Sequence, residues 1–336
     1  MISKTLSFIQ KEYLRDDKPW VLAYSGGKDS TAVLKLVFNS LLSLHNPTKQ
    51  ITIIYCDTGV EIPIVNSFVH CQLEKLNSEI FRYKLPVNIE IAKPEIKNRF
   101  FSKVIGRGYP TPTNKFRWCT DRLRIEPIQK IMNRKAYTVL VGVRKGESQE
   151  RDKIINRNGT ENPFYLTQSN YSNTNIFAPI INYSTKDVWE AIDTLEVPVS
   201  INGNKLRQLY QKASDNNVSQ SVEDIHSSRF GCWTCTVIRK DKAVNNLINS
   251  GEKNLQSLLD FRNWLTEIRD NNDYRCKYRR NGQKGLGPFT INARKEILNK
   301  LLKVQESSNL VLIDIEEIKY IKDLWKIDYN NSNYLE

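Results

Sequence analysis

Short apolar runs separated by longer helical patterns dominate the first half of the chain. Each run is rich in β-branched or aromatic residues and is bounded by helix breakers, which is typical of parallel strands with both faces buried. The runs are PWVLAY (19–24), ITIIYC (51–56), VNIEIA (87–92), YTVLVG (137–142) and IFAPII (176–181). The pattern predicts an α/β fold in which helices flank a parallel sheet.

Two segments before residue 200 carry clear helical signals. The run TAVLKLVFNSLLSL (31–44) is apolar nearly all round, so we expect a helix buried against the sheet. Ser184 and Asp187 have the spacing of a capping box, which predicts that another helix begins there.

The pattern changes after about residue 200, where the strand signals stop. Residues 252–268 and 292–305 have apolar positions at helical spacing. We therefore predict an α/β domain over residues 1–200 and a helical C-terminal region over residues 201–336.

Composition adds a strong positive charge to this picture. The chain has 50 Lys and Arg against 37 Asp and Glu, a net charge of +13. This charge favours anionic partners such as nucleotides or nucleic acid, although a solvated basic surface would give the same count. No segment is apolar over a length that could span a bilayer, and the first residues lack the apolar stretch of a signal peptide. We expect a cytoplasmic protein without a membrane partner.

The stretch VLAYSGGKDSTAVL (21–34) places glycines between a strand and a helix. It is not a kinase-type phosphate loop, because position 22 is leucine and Lys28 is followed by Asp29. Glycines allow successive N–H groups to face an anion, and the helix N-terminus adds partial positive charge. An ordinary strand-to-helix turn is the alternative. The serines and the lysine at the end of a first strand favour an anion site.

The hexapeptide SGGKDS resembles the PP-loop of the ATP pyrophosphatases, which hold the leaving pyrophosphate and cleave ATP between its α- and β-phosphates. The resemblance implies ATP, with Mg²⁺ on its phosphates, as cofactors. It also implies that the triplet after the second strand lies near the nucleotide, as in the PAPS reductase branch, although Asp57 is also a common turn residue. The implied ATP-binding residues are Ser25, Gly26, Gly27, Lys28, Asp29, Ser30, Thr31, Asp57, Thr58 and Gly59.

Three cysteines form the second candidate site. Cys232 and Cys235 are arranged as C-x-x-C, and Cys119 lies in KFRWCTDRLRIEP. With no histidine partner and no second C-x-x-C, an iron–sulfur cluster fits these thiols better than zinc does. Cys276 is the candidate fourth ligand, or else a surface thiol that leaves one iron open. A thioredoxin-like redox pair is disfavoured, because that motif belongs early in a βαβ unit.

The other two cysteines, Cys56 and Cys71, have the pattern of core or helix-face residues.

Two basic segments are interleaved with aromatic residues. Residues 97–135 contain eleven Lys and Arg against two acidic residues, and residues 271–300 contain eight against two. The pattern favours binding of a phosphate backbone with occasional base stacking, and a solvated helix face is the alternative. The interleaved aromatic residues are Tyr109, Phe116, Trp118, Tyr274, Tyr278 and Phe289.

Longer motifs narrow the resemblance. RWCTDRLRIEPI, GVRKGESQER, FGCWTC, FRNWLTEIRD and RRNGQKGLGPFTINARKEIL resemble the DndC sulfurtransferases of bacterial DNA phosphorothioation and their SspD relatives, from about Val21 to about Leu302. By this resemblance Cys119, Cys232 and Cys235 bind a [4Fe–4S] cluster, and Arg144 faces the nucleotide or its acceptor. The run TVIRKDKAV after Cys235 has no cysteine, which leaves the fourth ligand open.

The resemblance also implies a reaction and partners. A DNA phosphate oxygen would receive AMP while pyrophosphate leaves, and sulfide or persulfide carried at the cluster would then displace AMP. The implied catalytic residues are Lys28, Asp29, Asp57 and Arg144. The implied partners are DNA, a cysteine desulfurase as sulfur donor, and further phosphorothioation subunits like DndD and DndE.

Three other functions remain open. A sulfonucleotide reductase shares the loop and the Asp-Thr-Gly triplet, but its E-C-G-x-H-like C-terminal motif is absent from this sequence. A tRNA thiolation enzyme shares a PP-loop and clustered cysteines. A non-catalytic DNA-binding subunit is disfavoured by the intact loop with Lys28.

Overall fold

The computed structural model describes residues 1–132, 136–147, 149–167, 174–214 and 230–330. Within these ranges the central element is a six-stranded sheet. Its strands are β1 (Trp20–Tyr24), β2 (Ile51–Cys56), β3 (Val87–Ala92), β4 (Tyr137–Leu140), β5 (Tyr165–Leu166) and β6 (Thr174–Phe177). They lie in the order β3–β2–β1–β4–β6–β5. All neighbours are parallel except β5, which runs antiparallel to β6.

Helices flank the sheet and form the C-terminal part of the chain, so the predicted fold class is confirmed. The helices are α1 (Ile2–Leu14), α2 (Lys28–Leu42), α3 (Pro63–Arg82), α4 (Trp118–Thr120), α5 (Glu126–Met132), α6 (Gln149–Asn158), α7 (Thr185–Thr194), α8 (Gly203–Lys212), α9 (Lys242–Asn249), α10 (Gln256–Arg269), α11 (Ile291–Ser308) and α12 (Ile315–Asn330). Two π-helical turns, Ser102–Gly106 and Asp121–Ile125, and three 3₁₀ turns, Ile96–Asn98, Lys253–Leu255 and Asn272–Tyr274, lie between them.

The last predicted strand is displaced in the structure. We expected a strand over residues 176–181, but β6 ends at Phe177, and the Ile181 N–H donates to the Ala178 carbonyl (3.1 Å) in a turn. Pro179 has no N–H to contribute to a ladder, which explains the early end. The two-residue β5 carries too short a pattern to be predicted.

The predicted buried helix is confirmed as α2, although it begins at Lys28 rather than near residue 31. The capping box is also confirmed. The Asp187 N–H donates to the Ser184 hydroxyl (3.1 Å), and the Ser184 N–H donates to the Asp187 carboxylate (2.7 Å).

The C-terminal helices α10 and α11 match the two predicted amphipathic segments, whereas α12 was not predicted. The Trp325 indole N–H donates to the Ile105 carbonyl (2.8 Å), which fixes α12 against the first π-helical turn. Ladder-type pairing also occurs after residue 200, where residues 275–289 form an irregular hairpin. In the described part of the chain no helix has both the length and the apolar character to cross a bilayer. The division at residue 200 stays a prediction.

Phe177 tests the packing of this core. Its ring is fully buried and stacks on Tyr165 (centroids 5.2 Å apart), with Trp20 also in contact (5.8 Å). We expect Phe177→Ala to lower the free energy of unfolding by about 3–5 kcal/mol, because it removes a buried ring and leaves a cavity. Chemical denaturation measures the loss. The control Phe81→Ala, at an 87% exposed side chain, should stay within about 0.5 kcal/mol of the parent. Equal losses in the two variants would contradict this packing.

Candidate nucleotide site and cysteine centre

The three loops that we assigned to the nucleotide meet at one edge of the sheet. Ser25–Gly27 follows β1, Asp57–Gly59 follows β2, and Gly142–Arg144 follows β4. From β1 the chain proceeds to β2 and β3 on one side and returns to β4 on the other. A crevice at the carboxyl ends of parallel strands, where the strand order reverses, is the usual ligand site of such sheets.

The turn after β1 is stabilised by its own hydroxyl groups. The Ser25 N–H donates to the Ser30 hydroxyl (3.2 Å), and that hydroxyl lies 3.0 Å from the Gly27 carbonyl. Gly26 has φ +72°, and a Cβ there would lie 2.1 Å from the Val69 side chain of α3. Glycine is therefore required both by the backbone conformation and by the close contact.

Lys28 presents its amide at the N-terminus of α2, next to a tyrosine that the sequence did not indicate. The Lys28 N–H donates to the Tyr210 hydroxyl (3.1 Å), and the Lys28 Nζ lies 5.4 Å from the centroid of the Tyr210 ring. Tyr210 belongs to α8, far along the chain, so no local pattern connects it to the loop. The tyrosine hydroxyl thus lies against an amide that a PP-loop offers to phosphate.

The buried Arg144 forms an ion pair with Asp29 of the PP-loop. The Arg144 Nε donates to the Asp29 carboxylate (2.5 Å), and its Nη1 donates to the Tyr183 carbonyl (3.1 Å). The Lys28 Nζ lies 3.2 Å from the other carboxylate oxygen of Asp29. Since Arg144 is only 4% exposed, it lies in position to orient the loop. The catalytic roles assigned to these residues stay predictions.

The Asp57-Thr58-Gly59 triplet forms a rigid turn beside this loop. The Asp57 carboxylate accepts the Gly59 N–H (3.1 Å) and lies 3.4 Å from the Lys93 Nζ and 3.3 Å from the His70 Nε2. The Asp57 carboxylate therefore contacts His70 on α3 and Lys93, the residue that follows β3. Thr58 and Thr31 are both 1% exposed, so their side chains lie below the surface of the predicted ATP site.

Two functional candidates, Glu61 and Arg124, were missed by the sequence analysis. The Thr58 hydroxyl donates to the Glu61 carboxylate (2.5 Å), and burial raises the pKa of Glu61. An Arg124 Nη2 lies 3.8 Å from the Cys232 sulfur. Arg124 was inside a quoted motif, but only the fold shows that it faces a cysteine.

The loop that contains Cys232 and Cys235 is hydrogen-bonded to the segment that follows β2. The Trp233 N–H donates to the Val60 carbonyl (3.0 Å), and the Cys235 N–H donates to the Cys232 carbonyl (3.0 Å) within a tight turn. Arg262 of α10 donates from its Nε to the Cys235 carbonyl (2.8 Å). The cysteine loop is therefore fixed from both sides.

Cys119, Cys232 and Cys235 are electrostatic neighbours. Burial raises the pKa of Cys232 to about 11 and also raises that of Cys119, and negative charge on Cys235 raises both further. Arg124 opposes these effects at both thiols. By donor type the three thiols fit a cluster of iron and sulfur, and Arg124 can compensate thiolate charge.

The predicted set Cys119, Cys232, Cys235 and Cys276 stays a prediction. Over the described ranges no three Cys, His, Asp or Glu side chains are close enough together to hold a metal ion. Cys276 lies in the 275–289 hairpin, where its N–H donates to the Pro288 carbonyl (2.9 Å) and where Arg275 and Arg294 are its charged neighbours.

The two remaining cysteines are placed much as expected. Cys56 ends β2 half-buried, with its sulfur 3.2 Å from the Leu123 carbonyl, and burial raises its pKa to about 12. Cys71 is exposed on α3.

Comparison with known proteins identifies the family. The phosphoadenosine phosphosulfate reductase domain matches residues 19–238, well over half of the chain. The chain belongs to this family. The three loops at the carboxyl edge of the sheet all lie within the matched residues.

One curated protein that is similar to this chain is an uncharacterized protein of Methanocaldococcus jannaschii. It is 27% identical over 236 residues, which are 68% of this chain, and this chain spans only 38% of that protein's length.

Two solved structures are also similar. The PAPS reductase of Candida auris is 15% identical, over 59% of this chain and 86% of that one, with a TM-score of 0.36. The U34-tRNA thiolase NcsA of Methanococcus maripaludis, determined with its [4Fe–4S] cluster, is 14% identical, over 89% and 88% of the two chains, with a TM-score of 0.36.

Gly142 tests the contact between the β4 loop and the PP-loop. A Cβ at this position would lie 2.7 Å from the Asp29 carbonyl carbon and 2.8 Å from the Ser30 nitrogen. We expect Gly142→Ala to displace the start of α2 and to weaken ATP binding at least about tenfold, with a stability loss of about 1–3 kcal/mol from overpacking. Calorimetric titration with a non-hydrolysable ATP analogue measures the affinity.

The matched control is Gly231→Ala, where a Cβ would meet nothing within 4 Å. This control should bind the analogue like the parent. Unchanged affinity in Gly142→Ala would show that the β4 loop does not position the PP-loop.

Proposed function

We propose that this protein is an ATP-dependent sulfurtransferase that inserts sulfur into the DNA backbone as part of a DndC-like phosphorothioation system. One observation carries the proposal: the segment after β2 contacts both sites. Val69 packs against Gly26 of the PP-loop, and Val60 is hydrogen-bonded to Trp233 between the two cysteines. A site that activates an acceptor with ATP therefore lies beside thiols suited to sulfur chemistry.

In the first step a non-bridging oxygen of a DNA phosphate attacks the α-phosphorus of ATP. The bond from that phosphorus to the pyrophosphate oxygen breaks, and the DNA phosphate becomes adenylated. Lys28 and the N-terminus of α2 stabilise the charge that develops on pyrophosphate, the dominant effect in transfers of this type. Arg144 holds Asp29 against Lys28 and so keeps the lysine oriented. Mg²⁺ accompanies the ATP phosphates.

In the second step a hydrosulfide equivalent attacks the activated DNA phosphorus. A phosphorus–sulfur bond forms, the bond to the adenylated oxygen breaks, and AMP leaves with that oxygen while the sulfur loses its proton. A cysteine desulfurase is the proposed donor: its persulfide sulfur is released as hydrosulfide when a thiol reductant supplies two electrons and is itself oxidised to a disulfide. DndD- and DndE-like subunits are the proposed partners. Cys119, Cys232 and Cys235 would hold a [4Fe–4S] cluster, which when bound supplies an iron site for sulfide.

Lys28→Ala tests the activation step. We expect pyrophosphate release from ATP in the presence of DNA to fall about 10²–10³-fold, because a charge on the leaving group loses its preformed partner. An enzyme-coupled pyrophosphate assay measures it. The control Lys18→Ala removes an exposed lysine and should leave the rate unchanged. Formation of ADP and phosphate instead of AMP and pyrophosphate by the parent would refute the proposal.

Cysteine variants test the cluster independently of activity. We expect the anaerobically purified parent to contain iron and to absorb near roughly 400 nm, and Cys232→Ser and Cys235→Ser to lose both signals. Cys71→Ser, at an exposed cysteine on α3, is the matched control and should keep them. We expect Cys276→Ser to keep its iron too. Cys235 is an electrostatic neighbour of both Cys119 and Cys232, whereas the charged neighbours of Cys276 among the described residues are arginines. A colourless, iron-free parent would contradict the assignment.

The family match favours one second candidate, reduction of a sulfonucleotide. Incubation with phosphoadenosine phosphosulfate and a thiol reductant would then release sulfite without any requirement for ATP or DNA. We expect no sulfite release.

A further inference from the structure

The two basic segments of the sequence form the walls of one large groove. The groove has a volume of about 1300 Å³, which exceeds the roughly 300–1,000 Å³ of ordinary small-molecule sites. Residues 108–122 line one side, and residues 275–288 of the hairpin line the other. Its basic side chains are Lys115, Arg117, Arg122, Arg275, Arg279 and Arg280, against the single acidic residue Asp121. The groove is therefore suited to an extended polyanion.

Two of these cations are ion-paired or buried inside the protein. Arg122 forms an ion pair with Glu126, and Arg275 is buried, with its Nε donating to the Gly287 carbonyl (2.6 Å). The other four, Lys115, Arg117, Arg279 and Arg280, have no carboxylate partner among the described residues. Arg280 donates to the Arg107 carbonyl, which leaves its charge uncompensated. Uncompensated charge in a groove attracts phosphates.

Aromatic rings line the same groove. The Phe116 ring is 45% exposed and lies 6.4 Å from the Tyr109 ring, centroid to centroid. The Arg280 guanidinium and the Lys103 ammonium each lie 5.4 Å from the centroid of the Tyr109 ring, at cation–π distance. Paired bases are already stacked inside a duplex and would gain nothing from such rings. Unpaired bases would gain a stacking surface.

The short helix α4 belongs both to the groove and to the candidate cysteine site. Trp118 and Thr120 of α4 line the groove, and Cys119 between them is an electrostatic neighbour of Cys235. Glycines allow close contacts within the hairpin and between the hairpin and the first wall: a Cβ on Gly287 would lie 1.9 Å from the Tyr278 carbonyl oxygen, and a Cβ on Gly108 would lie 2.8 Å from the Phe289 carbonyl oxygen. A strand in the groove would therefore pass close to the sulfur chemistry.

We propose that this groove binds an unpaired DNA strand, with phosphates on the four cations that have no carboxylate partner and a base stacked on Phe116. The choice of DNA rests on the proposed function, whereas the preference for an unpaired strand rests on the groove alone. The reaction would accordingly act on a strand that has been opened.

Fluorescence anisotropy with a labelled 12-nucleotide oligothymidylate, alone or annealed to its complement, tests this inference without ATP. We expect the single strand to bind at least about tenfold tighter than the duplex. Each cation that contacts a phosphate should contribute about 0.7 to the slope of log affinity against log salt. Equal or tighter duplex binding, or affinity independent of salt, would overturn the proposal.

Variants separate the two kinds of contact. Phe116→Ala should weaken single-strand binding by roughly 5- to 150-fold, the range of one base–aromatic stack, without changing the salt slope. Arg279→Gln should lower the slope by about 0.7. The control Phe81→Ala removes another exposed phenylalanine outside the groove and should bind like the parent. Parent-like binding by Phe116→Ala would overturn the stacking role.

A parallel oligouridylate titration separates this inference from the proposed function. Preference for the RNA strand would leave the groove as a single-strand site and would count against DNA as the substrate. Tight DNA binding without any pyrophosphate release would likewise support the groove and refute the reaction.

Discussion

The hydrogen bond from the Trp233 N–H to the Val60 carbonyl (3.0 Å) connects two parts of the chain on which any chemistry here depends. Val60 follows β2, whose position is set by parallel pairing with β1 and β3. The cysteine loop thereby takes its position from the sheet. One such bond contributes only about 0.5–1.5 kcal/mol, so its importance lies in geometry rather than in stability.

The cysteine loop is also fixed on its opposite side, where Arg262 donates hydrogen bonds to its carbonyls. Residues 235–239 have no regular structure whose backbone groups could satisfy their carbonyls. The Arg262 guanidinium, 1% exposed, donates to the carbonyls of Cys235 (2.8 Å), Arg239 (3.2 Å) and Ile238. The flat, five-donor geometry of arginine suits three acceptors at once, which a lysine ammonium would match poorly. The FRNWLTEIRD motif of α10 thus acts as a support for the cysteine loop.

The sequence was informative where structure is set by neighbours along the chain. The central strands β1 and β2 could be predicted because most of their residues are buried, and the turn from Ser25 to Ser30 could be predicted because its bonds are local. Short or edge elements such as β5 carried too little pattern. Tyr210, which is hydrogen-bonded to the PP-loop from α8, depends on packing between distant segments, and no spacing in the sequence indicates it.

The proposed function requires two anionic substrates, and the distribution of charge differs between the two proposed sites. At the nucleotide edge, Asp29 offsets part of the charge of Lys28 and Arg144, so the site has only a modest excess of positive charge. In the groove, four cations lack any carboxylate partner among the described residues, so the excess there is larger. A modest excess favours release of a highly charged product such as pyrophosphate, whereas a larger one favours retention of a polymer through many weak contacts. In the proposed function the +13 net charge therefore serves two different tasks. The short helix α4 contributes Trp118 and Thr120 to the groove and also carries Cys119.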